Sequence, residues 1–420
     1  MTSAPPTPEL DEIDLTDREL YRHGFPHEVF TRLREEAPVW RHPETAGTVE
    51  TDGGGFWVLS RHADVQAVSR DPALFCSLDG NALPETEPER RGTMLITMDP
   101  PEHTRLRRLV SAGFTPRMTA RLDAQARERA VQIVEPVLER GQCNFVHEIA
   151  YQLPLHMIGD IVGIPYDDRE PLFDRVTKVL DALDPQSGIP EEQSAVLLME
   201  LFMYGRELAD EKRRNPVDDV WTTLTTAEVE QPDGSHTQLS EIELDLFFIT
   251  LVIAGSETTR NAISSGLIAL LEHPDQLERL RTDPAVMPTA VEEIVRWSSP
   301  VTYFRRTATR DTKIRDIEIE AGDRVTMWYP SANRDAEVFD DPFAFDITRT
   351  PNPHVAFGGG GIHYCLGANL AKREIRVMFE ELLARVNDIE MTGAPEYSVA
   401  GPKSVISNSL KNLPVRLTPR

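Results

Sequence analysis

The residues with the clearest capacity for chemistry lie within residues 354–374, near the end of the chain. Four consecutive glycines at 358–361 would let the backbone approach a large flat object closely. Cys365 stands where a helix is predicted to begin, with His363 two residues before it and Gly367 two residues after it. The helix dipole and the unpaired N–H donors of a first helical turn favour a thiolate at such a position. We therefore interpret Cys365 as a reactive or ligating cysteine, although a flexible glycine loop or an inert cysteine is commoner when either feature stands alone.

A second candidate site interrupts an apolar helix that is predicted over residues 241–272. Glu257 and Thr258 are adjacent there, and a carboxylate in an apolar run is costly unless it is hydrogen-bonded. An acid beside an alcohol could carry protons from solvent into a dry pocket. From these residues alone, a helix kink with a satisfied buried glutamate remains open beside the proton relay.

Other charged residues carry little information individually. Glu293 and Arg296 have i, i+3 spacing on a predicted helix, which usually gives a weak surface ion pair. A cysteine hydrolase that uses Cys365 and His363 is disfavoured, because the two are only two residues apart and a third member of the triad is not evident.

Long helices with a few short strands are predicted to position these residues. The hydrophobic periodicity predicts helices over residues 61–70, 102–112, 118–139, 169–182, 191–213, 241–272, 287–298 and 366–386. A strand is predicted at 56–59, and a hairpin is predicted from 317–320 and 325–328 around a turn at 321–323. The pattern indicates a mainly α protein with a minor β part.

The composition excludes several classes of function. The formal net charge of −25 disfavours binding to nucleic acids or anionic membranes, which need a basic face. Three cysteines are too few for a disulfide framework or a four-cysteine iron–sulfur cluster, and they fit a reducing compartment. The longest apolar run, at 246–254, is far shorter than the roughly 20 residues of a membrane span. A cytoplasmic protein without a membrane anchor is expected.

Residues 354–374 resemble the haem-binding loop of the cytochrome P450 family, which has an aromatic residue, glycines, a histidine or arginine two residues before the cysteine, and a glycine two residues after it. The resemblance covers nearly the whole chain, because the other landmarks of the family follow in order. Phe357 lies eight residues before Cys365, where most members have seven, and Lys372 stands where arginine is usual. With this extra glycine, the loop resembles that of a bacterial subgroup that acts on sterol side chains and methyl-branched lipids.

The resemblance implies a single cytochrome P450 domain over residues 16–420 after a disordered segment at 1–15. The implied fold is mainly α with a minor β subdomain, with a long core helix over a cysteine-ligated haem. By resemblance, Cys365 is the proximal thiolate ligand of haem b, and Glu257 and Thr258 are the acid and the alcohol that relay protons to dioxygen.

The resemblance also assigns three further groups of residues. The haem-binding residues are His103, Arg107, Arg306, Phe357, Gly358, His363, Cys365 and Gly367, with Arg305 as the alternative to Arg306. The residues that fix the cysteine loop are Glu293, Arg296 and Arg349. The substrate pocket is formed by Leu95, Ile96, Met98, Leu251, Val252, Gly255, Val301, Tyr303, Phe304 and Asn408.

The implied activity is that of a monomeric haem-thiolate monooxygenase that inserts one oxygen atom of O2 into a C–H bond. No flavin or nicotinamide fingerprint is evident, so a separate ferredoxin and ferredoxin reductase are expected to supply the electrons. The apolar pocket positions predict a lipophilic substrate, either a terpenoid, a sterol, a branched lipid or a natural-product intermediate. A peroxide-driven hydroxylase and a non-enzymatic haem-thiolate sensor are the alternatives, and neither needs the acid–alcohol pair.

Overall fold

The computed structural model describes residues 9–49, 54–84, 86–111, 116–182, 185–230, 234–398 and 409–420. The helices are α1 (His27–Glu36), α2 (Ala46–Val49), α3 (His62–Arg70), α4 (Glu102–Ser111), α5 (Pro116–Arg140), α6 (Gln152–Val162), α7 (Tyr166–Asp181), α8 (Glu191–Arg214), α9 (Val220–Thr226), α10 (Glu241–Glu272), α11 (Pro274–Thr282), α12 (Met287–Ser298), α13 (Tyr329–Ala332) and α14 (Ala368–Arg385). Shorter helical turns lie at Leu10–Glu12, Arg18–Tyr21, Pro88–Arg90, Leu95–Thr97, Val146–Ala150, Pro185–Ser187 and Pro284–Val286. Every predicted helix is present, with ends that differ by three residues at most.

The strands form a small part of the molecule. They are β1 (Val39–Arg41), β2 (Trp57–Leu59), β3 (Phe75–Cys76), β4 (Gln142–Asn144), β5 (Val229–Glu230), β6 (His236–Thr237), β7 (Tyr303–Ala308), β8 (Thr312–Ile314), β9 (Ile317–Ile319), β10 (Arg324–Trp328), β11 (Val386–Met391), β12 (Glu396–Tyr397), β13 (Leu410–Asn412) and β14 (Pro414–Pro419). The largest sheet has five strands in the order β1-β2-β10-β7-β3, and the next has three in the order β11-β14-β4. The fold is therefore mainly α with a minor β part.

Helix α10 forms the centre of the main hydrophobic core. Ser240 caps it, since its Oγ accepts from the backbone N–H of Glu243 at 3.4 Å and the Glu243 carboxylate accepts from the Ser240 N–H at 2.8 Å. The helix packs against α6, α8, α12 and α14. At Gly255 an added Cβ would lie 2.9 Å from Ile158 Cδ1 of α6, so this glycine lets the two helices approach closely.

The predicted hairpin between residues 317–320 and 325–328 is wrong, because these two strands belong to different sheets. β9 pairs with β8 through a tight turn in which Arg315 has a φ of 54°. β10 is buried along its whole length and pairs with β2 on one side and β7 on the other. A buried strand must pair its backbone N–H and C=O groups along both edges, and a two-stranded hairpin provides a partner along one edge only.

Residues 9–15, the second half of the N-terminal segment, are among the described residues. Ile13 and Leu15 are buried, and the Leu15 N–H donates to His42 Nε2 at 2.8 Å. Residues 1–8 lie outside the described part of the chain. Among the helices that the structure describes, none combines the length and the apolar character needed to cross a bilayer.

Candidate haem site

The loop that carries Cys365 folds back on itself before α14 begins. The Cys365 N–H donates to the Phe357 carbonyl oxygen at 3.0 Å, and Gly358 turns the chain with a φ of 100°. Gly367 is the N-cap of α14, and the Ala368 N–H donates to the Cys365 carbonyl oxygen at 3.4 Å. The structure thus brings Phe357, Gly358 and Gly367 around the cysteine.

The other three glycines of the loop pack against α3. An added Cβ at Gly361 would lie 2.4 Å from the Ser69 carbonyl oxygen, and one at Gly359 would lie 2.9 Å from the Val65 carbonyl oxygen. Ser69 Oγ donates to the Gly360 carbonyl oxygen at 3.0 Å. Residues 359–361 are therefore small because they pack against a neighbouring helix. The expected close approach of glycine backbone to a flat object does not account for them.

The groups around Cys365 shift the pKa of its thiol in opposite directions. Loss of hydration is the largest influence and raises the pKa of its thiol above the usual value, and the backbone N–H of Gly367, the positive charge of Arg107 and the backbone N–H of Ala368 offset part of this rise. The thiol lies at the N-terminus of the 18-residue helix α14 and is exposed within its loop. These donors favour a thiolate in contact with a cation, since metal ligation deprotonates a coordinating thiol.

Four of the predicted haem-binding residues converge into one cationic cluster beside the cysteine loop: His103 and Arg107 of α4, Arg306 of β7, and His363. The rings of His103 and His363 have their centroids 4.5 Å apart. Burial, together with the charges of Arg306 and Arg107, lowers the pKa of His363 to about 2 and that of His103 to about 4, so both imidazoles are neutral near pH 7 and the arginines carry the charge of the cluster.

The cluster has few anionic partners within the described residues. Both ring nitrogens of His103 are buried without a hydrogen-bond partner. Asp99 is the nearby acid, but its carboxylate already accepts from the backbone N–H groups of Ser77 and Leu78. His363 Nε2 lies 3.0 Å from Ser77 Oγ. Two arginine cations beside two neutral imidazoles, one of them without a hydrogen-bond partner among the described residues, fit the two propionates of a haem, because buried charges must be paired.

The structure separates the two candidate arginines, Arg305 and Arg306. Neighbouring residues of a strand point to opposite faces. Arg305 donates to the carbonyl oxygens of Asp79 and Leu83, away from the cluster. Arg306 is buried on the face of His103 and lowers its pKa.

The predicted acid and alcohol have different partners. Thr258 Oγ1 donates to the Ala254 carbonyl oxygen of the preceding turn at 2.9 Å. Glu257 is buried, and its Oε1 accepts from Arg260 Nη2 and from Ser409 Oγ. Ala254 is exposed in the middle of the otherwise buried α10, so the protein leaves this face of the helix uncovered among the described residues.

Arg260 and Ser409 were missed as partners of Glu257. The i, i+3 spacing of Glu257 and Arg260 was available in the sequence, but an ion pair of this kind is usually exposed. Ser409 comes from the C-terminal hairpin, and its contact with α10 spans 152 residues of sequence. Such a long-range contact leaves no local signal.

Glu293, Arg296 and Arg349 meet in a buried network. Arg296 donates through Nε and Nη2 to both carboxylate oxygens of Glu293, each at 2.7 Å, and Arg349 Nε lies 3.2 Å from Glu293 Oε2. Arg296 also donates to the carbonyl oxygens of Asn333, Pro342 and Ala344. The network reaches the cysteine loop through Asn333, whose Oδ1 accepts from the Val355 N–H at 2.8 Å.

The predicted pocket residues divide into two groups. Partly exposed positions are Ile96, Leu251, Gly255, Val301 and Phe304. Fully packed positions are Leu95, Met98 and Val252, which lie in the main core. Asn408 lies outside the described residues.

Tyr303 is not brought together with the other predicted pocket residues. Its ring stacks on Trp328 at a centroid distance of 5.1 Å, and its hydroxyl accepts from the Leu83 N–H at 2.9 Å. It is fully buried in a separate cluster with Phe30, Trp40 and Phe56. Its direction follows from strand alternation, since Phe304 occupies the opposite face of β7.

Comparisons with known proteins agree with this architecture. The sequence model of the cytochrome P450 family matches residues 19–387. The chain is 44% identical over 407 residues to a putative cytochrome P450 126 of Mycobacterium tuberculosis, covering 93% of this chain and 94% of that protein. It is 42% identical to the methyl-branched lipid omega-hydroxylase of M. tuberculosis (92% and 90% covered). It is 40% identical to the steroid C26-monooxygenase of Rhodococcus jostii (92% and 82% covered).

Solved structures give the same result. The Mycobacterium marinum cytochrome P450 CYP268A2, in complex with pseudoionone, superposes with a TM-score of 0.86 at 38% identity and covers 99% of this chain and 100% of its own. The Bacillus subtilis cytochrome P450 PksS superposes with a TM-score of 0.84 at 32% identity, with 97% and 100% covered. Sequence match, fold and a donor set that suits a cysteine-ligated haem all agree, and the chain belongs to the cytochrome P450 family of haem-thiolate monooxygenases.

Proposed function

We propose that this chain binds haem b through the Cys365 thiolate and hydroxylates a C–H bond of a lipophilic small molecule. The substrate class is a sterol, a terpenoid or a methyl-branched lipid, and a ferredoxin with its reductase supplies two electrons. The net reaction is RH + O2 + 2 H⁺ + 2 e⁻ → ROH + H2O. The observation that carries the proposal is the convergence of His103, Arg107, Arg306 and His363 beside the loop of Cys365.

The residues of the site have distinct tasks in this reaction. When bound, a thiolate-ligated haem supplies the iron at which dioxygen is activated, and the thiolate assists O–O cleavage. The cationic cluster would hold the propionates of the bound haem. Glu257 and Thr258 deliver protons from α10, because the reduction of O2 to water consumes two of them.

The substrate class rests on the relatives and on the uncovered face of α10. Two relatives are named for a methyl-branched lipid and for a steroid, and a structural neighbour holds pseudoionone. Leu251, Ala254, Gly255 and Thr258 fall on one side of α10, where the protein leaves an apolar surface partly uncovered. Lipophilic ligands bind to such surfaces through buried apolar contact with few polar groups.

The electron donor is expected on the side of the molecule that carries the cysteine. Arg108 of α4 is exposed there, while Lys372 pairs with Glu292 at 2.8 Å and Arg373 with Asp123 at 3.4 Å. We propose Arg107, Arg108, Lys372 and Arg373 as a basic docking patch for this donor, and Arg108 is the one whose charge is the most accessible. Charge reversal at Arg108 should slow electron transfer from a ferredoxin and weaken its dependence on salt. An unchanged, salt-independent rate would argue against this patch.

The test of the cofactor assignment is the absorption spectrum of the purified protein after reduction under carbon monoxide. The wild-type protein should give the strongly red-shifted Soret band of a thiolate-ligated haem, and Cys365→Ala should abolish it. Cys143→Ala is the matched control, because Cys143 lies in β4 and should leave the band unchanged. An unshifted band in the wild-type protein would overturn the assignment.

The test of the substrate class is turnover of a small panel in the presence of a ferredoxin, its reductase and NADH. The panel consists of a methyl-branched fatty acid, a steroid with an intact side chain and pseudoionone. Hydroxylated product from at least one member supports the proposal. Normal haem ligation without product from any member would reject the proposed substrate class.

A further inference from the structure

The carboxylate of Glu257 is held through one oxygen only. Its Oε1 accepts from Arg260 Nη2 and from Ser409 Oγ. Its Oε2 is buried and has no hydrogen-bond partner among the described residues. A buried carboxylate oxygen without a partner is costly, so its persistence calls for a functional explanation.

The two groups that hold Oε1 are themselves fixed from several directions. Arg260 Nη2 donates to Ser409 Oγ at 2.6 Å, and the guanidinium lies over the ring of Tyr151, 4.9 Å from its centroid. Asn261 binds the same hairpin, since its Oδ1 accepts from the Leu410 N–H at 3.1 Å and its Nδ2 lies 3.2 Å from Ser409 Oγ. The position of Glu257 therefore depends on α10 and on the start of β13 together.

The neighbouring alcohol is not part of this arrangement. Thr258 Oγ1 donates to the Ala254 carbonyl oxygen at 2.9 Å. Nothing in the described residues ties Oε2 of Glu257 to Thr258. The anchored oxygen sets where the free oxygen can lie, and the free oxygen is the one available to exchange a proton.

We propose that Arg260 and Ser409 are positioning residues that clamp one oxygen of Glu257 and present the other for proton transfer. This inference rests on the proposed function, in which Glu257 supplies protons to the reaction. In each transfer Oε2 first takes up a proton from solvent. The O–H bond so formed then breaks as the proton goes toward the oxygen that leaves as water, which returns Glu257 to the carboxylate. Arg260 does not pass on a proton itself, because a guanidinium does not deprotonate in proteins.

The experiment compares two ways of driving the same hydroxylation in the haem-loaded enzyme. With NADH, ferredoxin and O2, the protein must deliver both protons. With hydrogen peroxide the reaction is RH + H2O2 → ROH + H2O, and the oxidant brings the protons and electrons with it. The substrate is the panel member that the wild-type enzyme oxidises fastest. A residue that acts on proton delivery should affect the first reaction more than the second.

The variants are Arg260→Gln, Arg260→Lys and Ser409→Ala. Arg260→Gln should lower the NADH-driven rate at least about tenfold and Ser409→Ala about threefold, while the peroxide-driven rates stay within about twofold of wild type. Arg260→Lys keeps the charge and should restore part of the loss. The solvent deuterium isotope effect on kcat should rise in Arg260→Gln and Ser409→Ala, as proton transfer becomes limiting.

The controls separate failure of this inference from failure of the proposed function. Arg214→Gln removes an arginine from an exposed pair of the same i, i+3 spacing on α8 and should leave both rates unchanged. If the wild-type enzyme makes no product with NADH, the proposed function fails. The positioning role is tested when the wild-type enzyme is active and the variants are folded and loaded with haem. Variants that then lose both rates equally, or lose neither, reject that role. Ser409→Ala carries the test if Arg260→Gln does not fold.

Discussion

Glu257 and Arg260 on α10 have the same i, i+3 spacing as Glu293 and Arg296 on α12, and both pairs are buried. The two pairs differ in how completely their hydrogen bonds are satisfied. Both oxygens of Glu293 accept from Arg296, and further donors come from Arg349, Asn352 and the Asp346 N–H. Within the part of the chain that the structure describes, one oxygen of Glu257 and the Nε of Arg260 have no hydrogen-bond partner.

This difference indicates different roles for the same residue pattern. The pair on α12 fixes loops, because Arg296 binds three backbone carbonyl oxygens that belong to the segment before the cysteine loop. The pair on α10 keeps a buried acceptor that no described residue uses. A saturated buried network stabilises one conformation, whereas a partly satisfied one keeps chemical capacity at a cost in stability.

The largest effect is expected from Glu293→Gln. It leaves the Arg296 guanidinium as an unpaired charge at a site with 0% side-chain exposure. Removal of one partner of a buried ion pair costs about 3–5 kcal/mol. Urea denaturation of the haem-loaded protein should show this loss together with a lower haem content. A variant with wild-type stability would mean that the network on α12 is not structural.

The second-largest effect is expected from the corresponding glutamate substitution on α10. Glu257→Gln should lower NADH-driven hydroxylation by about 100-fold, the lower range for loss of a positioned acid. The free energy of unfolding should fall much less than in Glu293→Gln, because the site is already incompletely satisfied. The measurement pairs turnover with denaturation for both variants. Equal stability losses in the two variants would remove the distinction between the pairs.

A third, smaller effect concerns pH. Burial alone would raise the pKa of Glu293, but the hydrogen bonds and charges of Arg296 and Arg349 outweigh burial and place it below its usual 4.5. A lowered pKa in the folded state means that ionised Glu293 stabilises the protein above pH 4.5 and that this contribution is lost as the pH falls through the folded-state pKa.

The pH effect is measured as the difference in unfolding free energy between the wild-type protein and Glu293→Gln. This difference should be constant near neutral pH and shrink as the pH falls below 4.5. The same comparison with Glu211→Gln, an exposed residue of α8, gives the background from surface carboxylates. A difference that grows on acidification would contradict the lowered pKa.

The smallest effect is expected from Arg214→Gln. Its pair with Glu211 has the same spacing, but the side chains are 69% and 52% exposed. Exposed pairs of this kind contribute less than about 0.5 kcal/mol. Stability and turnover should both remain at the wild-type level. A loss above 1 kcal/mol would show that spacing alone, rather than burial, governs these pairs.

The parts of the fold that could be predicted are those with a local signal in the sequence. Helix α10 has the predicted bounds because its cap residue Ser240 and its apolar length are both local signals. Helix α6 was missed: nearly all its residues are buried, so it has no polar face to mark a period, and Pro154 lies within it. The pairing of β9 was also missed, because the turn at Arg315 uses a residue that is unusual at positive φ.

The same limit applies to the site. Motifs in the sequence pointed to Cys365 and to the residues of the cationic cluster, and the structure brings these residues close together. The partners of Glu257 could not be predicted, because Ser409 reaches α10 from the other end of the chain. Tyr303 was assigned to the pocket by the resemblance to the family, although alternation along β7 turns it the other way.

The packing of the glycine loop against α3 has a consequence for the order in which the site assembles. Ser69 and Gly360, which join the two segments, are 291 residues apart. Contacts of such long range form late, because the loop-closure entropy must be overcome first. The segment that carries Cys365 therefore reaches its final shape only after nearly the whole chain has left the ribosome. The nascent protein should acquire haem as one of the last events of its biogenesis.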